Sequence, residues 1–132
     1  MVIDTSAFLA IFLNEDEREP FLSAIIDAPK KLFSVANALE TAFVLEARKG
    51  EAAGRELDLF LHDGGIELVH VDVEQLELAR LAFRKYGKGR SPAGLNFGDC
   101  FAYALAKASG ESLLAKGNDF SQTDIDLLQI PR

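Results

Sequence analysis

Four acidic residues, far apart in the chain, occupy positions that could support catalysis. They are Asp4, Glu40, Asp99 and Asp119. The first and last follow short predicted strands, and the middle two lie near the starts of predicted helices. Carboxylates that converge without cations repel one another and take up protons. A divalent ion removes that conflict, and all-oxygen ligation suits Mg²⁺ or Mn²⁺ better than zinc or copper.

Each acid taken alone also has an ordinary structural explanation. Asp4 suits a helix N-cap, and Asp119 suits a turn. Glu40 and Asp99 each stand three residues after an asparagine, as in a capping box. The neighbours of these two acids favour a metal site instead, because the residues one turn further along are apolar or aromatic and none is Lys or Arg. Half-buried carboxylates without a cation are costly.

The order of elements along the chain brings the four acids to one edge. Strands predicted from apolar runs alternate with helices predicted from helical spacing, which favours an α/β fold with a mostly parallel central sheet of four or five strands and helices on both faces. Ligands of such sheets bind where the strands end and the next helices begin. The predicted strands are 2–3, 31–34, 66–69 and 112–115; the predicted helices are 7–13, 14–26, 35–49, 52–62, 72–83 and 97–109, before a last apolar segment at 125–130.

Composition restricts the possible classes of function. The 132 residues suit one domain, 1–132, and no apolar run reaches the roughly 18–20 residues of a membrane span. No secretory leader is predicted, and the single cysteine, Cys100, favours the cytoplasm. The net charge of −7 opposes nucleic-acid binding through the overall field, so any such role requires a metal or a local basic patch.

One stretch without acids, between Glu77 and Asp99, supplies a candidate patch for RNA phosphates. An ordinary solvated helix end, with cations suited to the helix dipole, explains it equally well. The candidate RNA-binding residues are Arg84, Lys85, Lys88 and Arg90, together with Lys116 beside the Asp119 turn.

Motifs around the four acids resemble a known family. They are VIDTSA at 2–7, ALE at 38–40, LNFGDC at 95–100 and KGNDF at 116–120, followed by Thr123-Asp124. In this order, and over essentially the whole chain, they resemble the PIN domain and, more narrowly, the VapC-type toxins of bacterial toxin–antitoxin pairs.

The resemblance implies an Mg²⁺- or Mn²⁺-dependent endoribonuclease that a cognate VapB-type antitoxin inhibits. It implies that Asp4, Glu40 and Asp99 hold the metal and that Asp119 completes the acidic set. A metal-activated water would then hydrolyse RNA and leave 5′-phosphate and 3′-hydroxyl ends. The expected supporting residues are Thr5 and Ser6, as hydroxyls beside the first aspartate, Asn118, and Asp124, which rivals Asp119 for direct or water-mediated ligation.

Two other functions compete with this interpretation. A phosphatase or receiver fold also uses aspartates at strand ends, but it gives Glu40 and Asp99 no role. A non-catalytic module that binds RNA or protein is the stronger rival.

Two predicted helices near the N-terminus, 7–13 and 35–45, are more apolar than one sheet face requires. They could also face an antitoxin helix or a second copy of the chain. The resemblance implies both a homodimer and a toxin–antitoxin hetero-oligomer.

Overall fold

The central sheet contains four parallel strands in the order β3-β2-β1-β4. The computed structural model describes residues 1–130. Its strands are β1 (Val2–Ile3), β2 (Leu32–Ser34), β3 (Glu67–Val69) and β4 (Leu113–Leu114). The prediction of an α/β fold with a parallel sheet is confirmed. The last apolar segment adds only a single parallel bridge, between Leu127 and Leu113, so it extends the sheet without becoming a fifth strand.

Six helices and one 3-10 turn connect and follow these strands within residues 1–130. They are α1 (Thr5–Phe12), α2 (Arg18–Asp27), α3 (Val35–Lys49), α4 (Glu51–Asp63), α5 (Val73–Tyr86), α6 (Phe97–Ser109) and the turn Phe120–Gln122. Helices α1 and α3 start directly at the ends of β1 and β2, where Asp4 and Ser34 act as N-caps. Gly110 ends α6 in a left-handed conformation, with φ 71°, which glycine adopts without steric cost.

The two faces of the sheet bury separate apolar clusters. Strand residues alternate between them, so that Ile3 and Phe33 join one cluster whereas Val2 and Leu32 join the other. Apolar side chains of α1 are buried in the first cluster, which explains the hydrophobicity of that helix without a partner. Helix α3 differs, because Leu39 and Phe43 remain more than half exposed.

The strand order creates a switch point between β1 and β4. From β1 the chain moves outward to β2 and β3, and it then returns to pair β4 on the other side of β1. Clefts that bind ligands form at such points, outside the carboxyl ends of the strands. Helix α6 leads into β4, so it begins at this same edge. None of the helices described in residues 1–130 is long and apolar enough to span a membrane.

Candidate active site

Asp4 forms the buried centre of the site. It follows β1 directly, and only 3% of its surface is exposed. The backbone N–H and the hydroxyl of Ser6 both donate to its Oδ2, at 3.0 and 2.6 Å. The Ser6 hydroxyl also accepts from the backbone N–H of Lys116, which follows β4. Ser6 therefore joins the first aspartate to the strand on the far side of the switch point.

Glu40 is held in a polar cradle at the start of α3. The Thr5 hydroxyl donates to Glu40 Oε1 at 2.7 Å, and Asn37 Nδ2 lies 3.3 Å from the same oxygen. Thr41 donates to the Thr5 hydroxyl, so the cradle extends into the buried interior. On the other side, a Cβ at Gly98 would lie 2.7 Å from the Glu40 carboxyl carbon. Glycine at this position lets α6 approach the carboxylate.

Asp99 and Asp119 complete the group from the second half of the chain. Asp99 lies in the first turn of α6, where its Oδ2 accepts from the backbone N–H of Asn96 in a capping box. The cap and the predicted site role therefore coexist in one side chain. Asp119 is exposed, precedes the 3-10 turn and makes no side-chain cap to it.

The electrostatics show that these carboxylates are neighbours. Burial, opposed by hydrogen bonds from Ser6 and assisted by the Glu40 charge, raises the pKa of Asp4 to about 6. Burial raises the pKa of Asp99 to about 7, with the charges of Asp4 and Asp119 adding to the effect. Each raised pKa means that nearby positive charges and hydrogen-bond donors do not fully stabilise the ionised carboxylate.

The donor set fits a hard divalent cation. Within residues 1–130, none of the four carboxylates forms an ion pair. Protein donors hold one oxygen of Asp4, Glu40 and Asp99, and a carboxylate held in this way can offer its other oxygen to an ion. Within residues 1–130, no three acidic, histidine or cysteine side chains already stand at the distances of a complete ligand shell.

The expected supporting residues contact different partners in the structure. Ser6 supports Asp4 as expected, whereas the Thr5 hydroxyl binds Glu40 instead of the first aspartate. Asp124 is already engaged by other side chains: it accepts from the Tyr103 hydroxyl at 2.7 Å and pairs with Lys107 at 2.8 Å. These contacts weaken its case as a metal ligand in place of Asp119. Asn118 lies in the exposed turn, where its carbonyl accepts from the Ser121 hydroxyl.

The basic candidates also differ in their surroundings. Lys116 is engaged by Glu15 and Glu17, at 3.1 and 3.5 Å, which weakens its case as a phosphate ligand. The remaining candidates lie at the end of α5 and in the loop before α6, and all are exposed: Arg84, Lys85, Lys88 and Arg90.

Sequence reasoning missed the roles of Asn37 and Gly98. Asn37 was expected only as a possible cap, but Ser34 caps α3 and places Asn37 inside the first turn. There it is 1% exposed, and its Nδ2 donates to the Gly98 carbonyl as well as to Glu40. The sequence indicates this arrangement through Ser34 at the end of the preceding strand, because serine is a strong N-cap residue.

The family model of the PIN domain matches residues 1–126. The chain therefore belongs to the PIN-domain family. A protein of Mycolicibacterium smegmatis named Ribonuclease VapC is 56% identical over 95% of this chain and 97% of its own length. Ribonuclease VapC30 of Mycobacterium tuberculosis is 53% identical over 99% of this chain and 100% of its own. Within the family, the chain belongs with the VapC ribonucleases.

Solved structures show the same fold at low sequence identity. Mycobacterium tuberculosis VapC20, described as a sarcin-ricin loop cleaving toxin, superposes with a TM-score of 0.80 at 20% identity and covers 98% of both chains. A chain of a toxin–antitoxin complex from Klebsiella pneumoniae gives a TM-score of 0.72 at 15% identity, over 93% of this chain and 92% of its own.

Proposed function

We propose that this chain is a divalent-metal-dependent endoribonuclease and the toxin of a type II toxin–antitoxin pair. The observation that carries the proposal is the cation-free group of Asp4, Glu40, Asp99 and Asp119 at the switch point of the sheet. The names of the VapC relatives support ribonuclease activity.

The four carboxylates would hold Mg²⁺ or Mn²⁺, which when bound supplies charge neutralisation at the phosphate and an activated water. Two hydrogen bonds from Ser6 orient Asp4 and favour its ionised form. Thr5 and Asn37 orient Glu40, and the Asn96 N–H orients Asp99. No histidine hydrogen-bonds these acids within residues 1–130, so we assign none as general base. The expected products carry 5′-phosphate and 3′-hydroxyl ends.

The proposed partners are an RNA substrate, a VapB-type antitoxin and a second copy of the chain. One support is that the Klebsiella pneumoniae chain of the same fold belongs to a toxin–antitoxin complex. Another is the exposed apolar surface of the chain, which includes Ile26 and Leu59 beside an open groove of about 430 Å³ and, elsewhere, Leu39 and Phe43 on α3. We place the enzyme in the cytoplasm, where its single, buried thiol stays reduced.

The test is cleavage of end-labelled RNA by purified protein free of antitoxin, with Mg²⁺ or Mn²⁺ and then with excess EDTA. We expect cleavage that EDTA abolishes and Asp99→Asn removes. Products should be extended by poly(A) polymerase without prior phosphatase treatment, because they end in 3′-hydroxyls. Cyclic phosphate ends, or cleavage that persists in Asp99→Asn, would contradict the proposal. RNA binding without any cleavage would support the non-catalytic module instead.

A further inference from the structure

A cleft between α5 and α6 opens beside the acidic site. We call it the arginine–phenylalanine cleft after six of its lining residues, which are Arg80, Phe83, Arg84, Arg90, Phe97 and Phe101. Its volume is about 460 Å³, within the roughly 300–1,000 Å³ range of clefts that hold small molecules or parts of larger ones.

Phe97 forms the wall of the cleft nearest the acids. Its side chain is 79% exposed, and its ring meets the edge of Phe101 with centroids 4.8 Å apart at 89°. It stands two residues before Asp99 at the start of α6. On its other side, Phe97 also lines a second open cavity of about 430 Å³ that includes Glu40. The exposed ring therefore lies between the cleft and a carboxylate of the site.

Arginines give the cleft a positive charge in an acidic chain. The Arg90 guanidinium lies over the Phe83 ring, 5.2 Å from its centroid. Arg80 pairs with exposed Glu77 at 3.7 Å, whereas within residues 1–130 Arg84 and Arg90 have no carboxylate at ion-pair distance. Against a net charge of −7, this local patch attracts anions to the cleft.

We propose that the arginine–phenylalanine cleft binds an unpaired nucleotide next to the phosphate to be cut. The base stacks on Phe97, and Arg84 and Arg90 contact the flanking phosphates. Aromatic rings with nearby arginines bind single-stranded nucleic acid in this way, because every base has a stacking face once it leaves a duplex. The inference rests on the proposed endoribonuclease function. It adds that Phe97 is the residue on which the unpaired base stacks, and that Arg84 and Arg90 are the contacts to the flanking phosphates.

The test measures binding of full-length protein, free of antitoxin, to a fluorescein-labelled RNA by anisotropy in EDTA, so that no strand is cut. The same RNA is measured as a single strand and annealed to its complement. We expect Phe97→Ala to weaken single-strand binding about tenfold and duplex binding hardly at all, because only the stacking contact is lost. Phe97→Trp should retain single-strand binding. The double variant Arg84→Ala/Arg90→Ala should weaken both and reduce the slope of log K against log salt by about 1.4 for the single strand.

Leu68→Ala is the matched control. Leu68 is 46% exposed on β3 and does not line the cleft, so its removal should leave RNA binding unchanged. Wild-type single-strand affinity in Phe97→Ala would overturn the proposal. Sedimentation equilibrium of Phe97→Ala and Phe43→Ala tests the rival occupant, a second copy of the chain. Equal losses of self-association and of RNA binding in these two variants would also overturn the proposal, because Phe43 lines the neighbouring cavity and not the cleft.

Cleavage assays separate failure of the cleft from failure of the proposed function. If the wild type cuts RNA with Mn²⁺ while Phe97→Ala binds and cuts like the wild type, only the cleft assignment fails. If the wild type cuts no RNA with Mg²⁺ or Mn²⁺, the endoribonuclease assignment fails, and the cleft proposal fails with it.

Discussion

Asp119 and Asp124 lie five positions apart in the last part of the chain, but their surroundings are opposite. Asp124 pairs with Lys107 and accepts from Tyr103, and these contacts, acting against burial, hold its pKa below the usual range. Asp119 is exposed, has no ion pair within residues 1–130, and helps to raise the pKa of Asp99. One acid is neutralised by the fold, and the other adds to a concentration of negative charge.

Under the proposed function, the difference separates a carboxylate with a structural role from candidate metal ligands. A carboxylate with its own cation needs nothing from outside the protein. The group around Asp4 and Asp99 lacks such compensation, and sites of this kind are kept for chemistry at some expense in stability. Local environment therefore distinguishes the two roles where residue type does not.

The largest effect should come from Asp99→Asn. Asparagine keeps the shape of the side chain and can still accept from the Asn96 N–H, so the α6 cap survives. The variant loses a charged ligand, and we expect RNA cleavage to fall at least about 100-fold, since even the partners that orient metal ligands are worth 10–100-fold. Initial rates with Mn²⁺, alongside circular dichroism to verify folding, provide the measurement. A folded variant with near-wild-type rates would remove Asp99 from the site.

Metal and pH should act on stability together. In the unfolded chain, aspartates have a pKa near 4. In the folded protein, the pKa of Asp4 is about 6 and the pKa of Asp99 is about 7. Between these values the folded state holds more protons, so the free energy of unfolding of the metal-free protein should fall as pH rises from 4 to 7. Mg²⁺ at 100 times its Kd should add about 2.7 kcal/mol at pH 8, and less at pH 5, where protons compete.

Thermal melts with EDTA and with Mg²⁺ at both pH values measure this behaviour. Asp99→Asn serves as the control, because it should flatten the pH dependence and reduce the response to Mg²⁺. Metal stabilisation of equal size in Asp99→Asn and the wild type would place the ion elsewhere on the protein.

The positions of the candidate acids at the strand ends could be predicted from the sequence. The strands that precede Asp4 and Asp119 put both residues at one edge of the sheet, and the parallel sheet follows from the alternation of strands and helices. The contacts around Glu40 could not be predicted, because Thr5 and Gly98 reach it from distant segments through packing of α3 against α1 and α6. The pairing of Asp124 with Lys107 likewise depends on tertiary structure. Periodicity predicts which face of a helix is buried, but not which polar group across that face receives its hydrogen bonds.

Gly98→Ala should disturb the site through packing alone. Its Cβ would collide with the Glu40 carboxylate, which Thr5 and Asn37 hold in place, so we expect RNA cleavage to fall about tenfold with a weaker response to Mn²⁺. Gly54→Ala on α4 is the matched control, because its Cβ would meet the carboxylate of Glu46, an exposed side chain that can move aside. Equal losses of activity in the two variants would indicate a general helix effect and not displacement of Glu40.

The smallest effect should come from Asp124→Asn, which tests the other side of the comparison. The variant loses the ion pair with Lys107 but can still accept from the Tyr103 hydroxyl. Because the pair is partly exposed, we expect a loss of less than about 1 kcal/mol in the free energy of unfolding, with RNA cleavage retained. The lowered pKa of Asp124 fixes the sign of the pH dependence: its contribution is fully present above the usual carboxyl pKa and is lost as pH falls through the lowered pKa. Urea unfolding should therefore show a smaller difference from the wild type at pH 3 than at pH 7. A folded Asp124→Asn protein without cleavage activity would instead make Asp124 part of the metal site and erase the distinction between the two acids.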